Sequence, residues 1–215
     1  MNLKSRFKKL LYSSTTREEL FPLYWNELEK AYQNNSRAYH NLSHLENMFD
    51  EWEQCQIIPQ NQQALEWAIF YHDIIYKATK KNNELKSAQL CEERLKELDI
   101  PTDVRSLCFE MIIATQKHQK SDNETINLML DLDMSILGQS WEAYQTYYEG
   151  VRKEYAIYPD FLYHPGRVKV LQTFLQQPIF HTSFFKDKYE AKAIENIKTE
   201  IAFLEKLRKL IVLEK

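Results

Sequence analysis

Glycine is scarce in this chain: only three occur among 215 residues, Gly138, Gly150 and Gly166. A P-loop and a dinucleotide-binding turn both need closely spaced glycines that let the backbone approach phosphate oxygens. Three isolated glycines cannot supply such a turn, so both nucleotide-binding classes are excluded. Valine is also rare, whereas Leu, Glu, Lys, Gln and Ala are abundant, and these residues favour helices over strands.

Cysteine and long apolar runs are equally sparse. Cys55, Cys91 and Cys108 lie far apart and form no CxxC pair, so they predict neither a disulfide framework nor a thiolate zinc site. No run of 18 apolar residues and no signal-peptide core occurs, and we expect a cytoplasmic protein that does not enter a membrane. The net charge of −3 offers no general attraction to nucleic acid, which is therefore not an expected partner.

The spacing of apolar residues predicts helices along the whole chain. They span about residues 15–32, 42–54, 61–76, 82–98, 104–117, 125–137, 141–155, 167–176 and 189–210. The expected fold is all-α, a single bundle of about eight or nine helices over residues 1–215, because this length favours one core. The segment PDFLYHPG, residues 159–166, is expected to be a loop. His164 and His181 lie in loop-like sequence and are expected at the surface.

The most apolar segment, QALEWAIFYHDIIY, is typical of a helix surrounded by other helices. It contains His72 and Asp73, and an unpaired carboxylate is costly to bury there. A divalent cation bound by both residues is one solution, since imidazole and carboxylate suit zinc, manganese or iron. Alternatively, Asp73 caps a helix or forms an ion pair, and His72 is a hydrogen-bonded core histidine.

Two further segments place ionisable residues in apolar sequence. His40 and His44, in AYHNLSHL, are four residues apart and share one helix face if the helix already includes His40. Asp131 and Asp133 lie in MLDLDMSIL. A separation of two positions along the chain corresponds to a rotation of about 200° around a helix, so only one of the two aspartates can face a common site. The other is expected to face solvent or to cap a helix.

Taken in order, these residues resemble the pattern of the HD superfamily of metal-dependent phosphohydrolases, a His, a His-Asp pair and a distant Asp on helices around one metal. The resemblance implies that His44, His72, Asp73 and Asp133 bind the metal. AYHNLSHL and DMS are also similar to segments of cyclic nucleotide phosphodiesterases, which implies that His40 is the general acid. The segments RAYHNLSHL, YHDIIY, NNELKSA, IIATQKH, LDLDMSILG and VRKEY resemble a bacterial group of predicted HD-superfamily phosphohydrolases.

The resemblance also carries expectations about domains and chemistry. An HD core is expected over about residues 36–140, followed by a helical C-terminal extension over about 141–215. The implied activity is hydrolysis of a phosphate ester by metal-bound hydroxide, with Asp73 assisting the attacking water as well as binding metal. The expected cofactor is a divalent metal, Mn, Fe, Zn, Ni, Co or Mg. The expected substrate is a small phosphorylated molecule, with a nucleotide as the leading candidate.

Four more residues are candidates around the metal or the substrate. Glu84 is either close to the metal or an exposed acid that a helix start favours, and His118 either joins the site or binds the end of a helix. Arg152 and Arg167 could bind phosphate through bidentate hydrogen bonds, or they pair with acids in solvent.

Two other functions stay open at this point. A di-iron oxygenase of the HD type needs a second histidine-rich set of ligands, for which only His118 and Glu84 are available. A catalytically silent metal-binding or interaction module has no need of His40 in addition to four ligands.

Overall fold

The computed structural model describes the backbone of residues 1–213 and the side chains of residues 1–207. Within this part of the chain it contains ten α-helices, two short 3-10 helices and no strand. The all-α prediction is confirmed, and the expected eight or nine helices are close to the observed ten. The chain divides into two compact units, Met1–Asp133 and Met134–Lys215, which are described in turn. A single domain with an HD core over 36–140 and an extension over 141–215 stays a prediction.

Seven helices begin in the first unit. They are α1 Leu3–Ser14, α2 Phe21–Tyr32, α3 Leu42–Cys55, α4 Gln62–Tyr71, α5 Asn83–Glu97, α6 Thr102–Ala114 and α7 Glu124–Met134. The side chains of Asn2, Asn41 and Asn61 each accept a hydrogen bond from a backbone N–H at the start of α1, α3 and α4. Such caps satisfy N–H groups that a helix leaves unpaired, and each is worth about 1 kcal/mol.

The helix α4 is the core helix of the first unit, as its apolar sequence predicts. It packs against α1, α3, α5 and α6, and seven of its ten residues are buried. Phe7 of α1 contacts Trp67 and Phe70 edge-on, with ring centroids 5.5 and 5.0 Å apart. Among the described helices, none is both long and apolar enough to cross a bilayer.

The predicted helix over 61–76 is wrong at its end, because α4 stops at Tyr71 and residues 72–82 form turns. Two side chains of α5 hold these turns. Ser87 bonds the N–H and the carbonyl of Ile75, and Asn83 bonds those of Lys77. These bonds satisfy backbone groups that would otherwise pair within a longer helix. The His-Asp pair therefore follows the core helix instead of lying inside it.

The helix α7 is buried from residue 125 to residue 132. Asp131 has no exposed surface, so of the two positions expected for it, facing solvent or capping a helix, the one facing solvent is wrong. A residue of a helix can face solvent only where one side of that helix meets water, and residues 125–132 of α7 have no such side.

The second unit contains α8 Trp141–Glu154, α9 Asp160–Phe174 and α10 Ser183–Leu213. A 3-10 turn, Ser135–Gly138, packs against α10. A Cβ at Gly138 would overlap the side chain of Tyr189, so glycine is required there. Asn196, which is buried in α10, donates to the carbonyls of Leu137 and Gln139 and closes the turn.

The segment 159–166 is not a loop, as the sequence predicted, but the first half of α9. Pro165 lies inside the helix, where it cannot donate to the carbonyl of Phe161. Phe161 is 63% exposed, so water can bond that carbonyl instead. His164 and His181 are both buried, which makes the expectation of surface positions wrong.

A buried ion pair joins α9 to α10. Arg167 donates from Nε and Nη2 to the two carboxylate oxygens of Glu200, at 2.8 and 3.1 Å, and Tyr144 donates to Oε2 at 2.6 Å. We expect Arg167→Met to lower the free energy of unfolding by about 3–5 kcal/mol, because it leaves Glu200 buried without its cation. Denaturant unfolding followed by circular dichroism measures this loss. Arg167→Met/Glu200→Met should recover most of it, and an equal loss in both variants would contradict the buried-charge explanation.

Candidate metal centre

Three segments of the first unit bring two imidazoles and a carboxylate together. His44 lies in the first turn of α3, His72 directly follows α4, and Asp133 is the residue before the end of α7. Both histidines are buried, at 3% and 1% exposure. One nitrogen or oxygen atom from each of the three residues lies within 4.8 Å of the others, so the group could hold a metal ion.

The distances within the trio test whether it fits a common cation. His44 Nε2 lies 3.2 Å from His72 Nε2 and 3.1 Å from Asp133 Oδ1, and His72 Nε2 lies 3.7 Å from the same oxygen. Nitrogen and oxygen ligands bound tetrahedrally at about 2.0–2.2 Å stand roughly 3.3–3.6 Å apart. The donor set and its spacing therefore fit a divalent cation.

The outer nitrogens of the two imidazoles are also engaged. His72 Nδ1 lies 2.9 Å from the carbonyl oxygen of Ile69, which can only accept, so this nitrogen carries the proton. His44 Nδ1 lies 3.2 Å from the hydroxyl of Tyr39. The two Nε2 atoms consequently face each other and Asp133. Metal-binding histidines are typically oriented in this way by outer hydrogen bonds.

The charges of the cluster shift the pKa values of its members. Burial opposes protonation of His72, but the Asp73 and Asp133 carboxylates outweigh it and raise the pKa of His72 to about 9. At His44 burial dominates and lowers the pKa. Burial acts to raise the pKa of Asp73 and of Asp133, but the neighbouring histidines hold both well below the usual range. The cluster therefore favours positive charge between its two carboxylates.

Asp73, the fourth expected ligand, lies beside the trio. Its Oδ2 is 3.4 Å from His72 Nε2 and 3.9 Å from His40 Nε2. It is not one of the three residues whose ligand atoms converge. Asp73 thus stands between the trio and His40.

His40 is not on the helix that carries His44, because α3 begins at Leu42. The shared helix face is therefore wrong as the reason for their proximity. A bend before the helix brings the His40 ring centroid to 6.0 Å from that of His44. His40 also stacks on Tyr76, with ring centroids 4.2 Å apart.

His118 joins the cluster through Asp133, with its Nε2 2.9 Å from Asp133 Oδ2. It lies just past α6 with φ 49°, a left-handed conformation that histidine tolerates better than most residues. Its backbone N–H bonds the carbonyl of Ala114 and so helps to end that helix. The sequence left two alternatives for the His118 imidazole, joining the site or binding the end of a helix, and its contact with Asp133 corresponds to the first.

The remaining candidates have other partners. The carboxylate of Glu84 accepts a hydrogen bond from Gln116 at 3.4 Å. Arg152 and Arg167 belong to the second unit, where Asp160 and Glu200 accept from their guanidinium groups.

Arg37 is a candidate that the sequence reasoning missed. It is 8% exposed, and its guanidinium donates to the backbone carbonyls of Asp73, Ile74 and His40 at 2.6, 2.8 and 3.3 Å. It ties the bend that carries His40 to the turn that carries Asp73. Its only signal in the sequence is its place at the start of RAYHNLSHL, because carbonyl partners on a distant segment leave no pattern.

We expect Arg37→Gln to weaken metal binding about 10- to 100-fold, the range typical of residues that orient metal ligands. The reason is that the turn of Asp73 loses its anchor. Metal titration calorimetry measures the change. Arg17→Gln is the matched control, since Arg17 also donates to a carbonyl, that of Glu97 at 3.0 Å, away from the cluster. Equal affinities in the two variants would show that Arg37 does not position the site.

The chain has no significant match to a protein-family model, to a curated protein or to a solved structure. The resemblance to the HD superfamily therefore rests on the motifs quoted above.

Proposed function

We propose that the protein is an HD-type metal-dependent phosphohydrolase that acts on a small phosphorylated molecule. The observation that carries this proposal is the convergence of His44, His72 and Asp133 at ligand spacing, with Asp73 and His40 beside them. Ligand-type residues from three distant segments meet at one point. A hydrogen-bonded core histidine or an aspartate that caps a helix would not need such a meeting.

In this proposal His44, His72 and Asp133 hold a divalent cation, and Asp73 is the fourth ligand. When bound, the cation supplies polarisation of a phosphoryl oxygen and a lower pKa for the attacking water. The Asp73 carboxylate, close to both the trio and His40, orients that water and accepts its proton. The water oxygen forms a new bond to phosphorus, and the bond between phosphorus and the leaving oxygen breaks with its electron pair.

The leaving oxygen then needs a proton, and His40 is placed to donate it. Its Nε2 is 3.9 Å from Asp73 Oδ2, and its ring is held against Tyr76. Exposure of 21% for its side chain leaves His40 accessible to a substrate, in contrast to the buried imidazoles of His44 and His72.

The test is a screen of the purified protein against phosphomonoesters, cyclic nucleotides, dinucleotides and pyrophosphate, each with Mn, Mg, Fe, Co, Ni and Zn. Metal content is measured in parallel. We expect turnover of at least one phosphorylated substrate with a stoichiometric metal. Two irons per chain with oxygen consumption would favour the di-iron oxygenase instead. Bound metal without any turnover would favour a silent metal-binding module.

We expect metal binding at pH 7.5 to release about one proton, because His72 must lose its proton to bind a cation. With a pKa of about 9, His72 is protonated at that pH. Apparent metal affinity should therefore rise with pH and level off above about pH 9. Calorimetry in two buffers of different protonation enthalpy measures the release at pH 7.5 and at pH 9.5. If the heat of metal binding at pH 7.5 is the same in both buffers, no proton is released and this prediction is wrong.

A further inference from the structure

Two loops that begin beside the candidate metal centre carry a concentration of lysines. Residues 72–82 start with His72 and Asp73, and residues 115–123 include His118. The lysines are all exposed and are together named the lysine rim: Lys77, Lys80, Lys81, Lys117 and Lys120. Acidic residues outnumber basic ones in residues 1–133, so this local excess runs against the charge of its own unit.

The two loops border the centre and touch each other. Four residues span at most about 14 Å, so Lys77 lies within that reach of Asp73. Lys117 adjoins His118, whose imidazole contacts Asp133. The side chain of Gln116 donates to the carbonyl of Lys81 at 3.0 Å, which joins the loops. Lys77 and Lys117 therefore lie close to the centre along the chain, and the other rim lysines belong to the same two joined loops.

The backbone of the first loop is held in place. The side-chain amide of Asn83, which is buried, accepts from the N–H of Lys77 and donates to the carbonyls of Lys77 and Lys80. A turn bond from the N–H of Lys80 to the carbonyl of Lys77 adds to this. The lysines consequently extend from a fixed backbone.

One carboxylate outside the two loops, that of Glu84, lies beside the rim, 3.4 Å from the side-chain nitrogen of Gln116. Over the described residues, no ion pair involves any of the five lysines. Within the two loops the acidic residues are Asp73, which contacts the histidines, and Asp122. Flexible ammonium groups of this kind attract phosphate as point charges and do not dictate a single geometry.

We propose that the substrate of this centre carries a chain of two or more phosphates, and that the lysine rim binds the phosphates beyond the one that is hydrolysed. This inference rests on the proposed function and names its substrate class. A single phosphate would be satisfied by the cation and His40, which leaves five lysines without a role. Hydrolysis breaks one P–O–P bridge: the water oxygen bonds to the terminal phosphorus, and the bridging oxygen leaves with the electron pair and gains a proton.

The test compares rim variants with a matched control. Lys80→Glu/Lys81→Glu reverses the charge of two lysines in the first loop, and Lys117→Gln/Lys120→Gln removes the charge of two lysines in the second. Lys96→Glu changes an exposed lysine in the last turn of α5, about 20 Å along the helix from its start. Binding of inorganic tripolyphosphate and of orthophosphate is measured by calorimetry at low salt, and metal content is determined for each protein.

We expect the unmodified protein and Lys96→Glu to bind tripolyphosphate at least about tenfold more tightly than orthophosphate, and both rim variants to lose this preference. In the rim variants, KM for a nucleoside triphosphate should rise by a larger factor than KM for p-nitrophenyl phosphate. Equal tripolyphosphate affinity in all proteins would overturn the proposal. Tight binding of a single-stranded oligonucleotide without terminal phosphates would also overturn it, in favour of nucleic acid.

The two proposals fail in different ways. Rim-dependent tripolyphosphate binding without turnover of any substrate would refute hydrolysis and retain the rim as a polyphosphate site. Turnover of monoesters with no effect of the rim variants would refute the rim and retain hydrolysis.

Discussion

His72→Gln is expected to abolish stoichiometric metal binding and, with it, hydrolysis. The Nε2 atom of His72 is central to the cluster, 3.2 Å from His44, 3.4 Å from Asp73 and 3.7 Å from Asp133. The substitution removes a direct ligand. The loss of metal affinity should therefore exceed the roughly 10- to 100-fold that is typical when a residue that only hydrogen-bonds to a ligand is replaced. Elemental analysis after gel filtration, together with the phosphatase screen, measures both effects.

Glutamine is chosen because His72 is 1% exposed and alanine would leave a cavity in addition to removing the ligand. His181→Gln is the matched control, because that histidine is also buried but belongs to the second unit. Both variants should keep the helical circular-dichroism spectrum. Full metal occupancy in His72→Gln would remove His72 from the ligand set and, with it, the centre as described.

His40→Ala is expected to retain metal and to lose turnover by about 10²- to 10⁴-fold, the contribution of a general acid. His40 lies next to Asp73 but outside the three residues whose ligand atoms converge. A substrate with a good leaving group needs little protonation. The loss should therefore be smaller for p-nitrophenyl phosphate than for a nucleoside phosphate.

The ratio of the two losses separates an acid from a scaffold residue. Tyr76→Leu is the companion variant, since it removes the ring on which His40 stacks and leaves the imidazole itself present. It should cost less turnover than His40→Ala. Equal losses on both substrates, or loss of the metal from His40→Ala, would show that His40 supports the site and does not donate the proton.

The helical architecture could be predicted because its determinants are local. Apolar residues at helical spacing and asparagines at helix starts act within a few residues, and α3, α5 and α8 begin and end close to the predicted positions. The predictions failed where a distant contact decides the local conformation. Side chains of the next helix, Ser87 and Asn83, hold the turns that follow α4, and α4 therefore ends earlier than predicted.

The candidate site shows the same division. The set His44, His72, Asp73 and Asp133 was expected from the resemblance of its order to the HD pattern, and the cost of burying a carboxylate in an apolar segment supported it at Asp73. For His118, the sequence left open whether the imidazole joins the site or binds the end of a helix, and the structure shows it in contact with Asp133. The burial of Asp131 was not predicted. Both depend on which surfaces surround α7.

Sequence alone was therefore sufficient for the all-α class, for most helix bounds and for the residue types of the candidate metal centre, since periodicity, capping and the cost of buried charge are properties of short segments. Only the tertiary structure decided that Arg37 links the turns of His40 and Asp73, and that Gln116 joins the two loops that carry the lysine rim. Hydrogen bonds to backbone carbonyls depend on where the chain passes, and not on which side chain the acceptor residue carries. Such contacts leave no mark in the sequence.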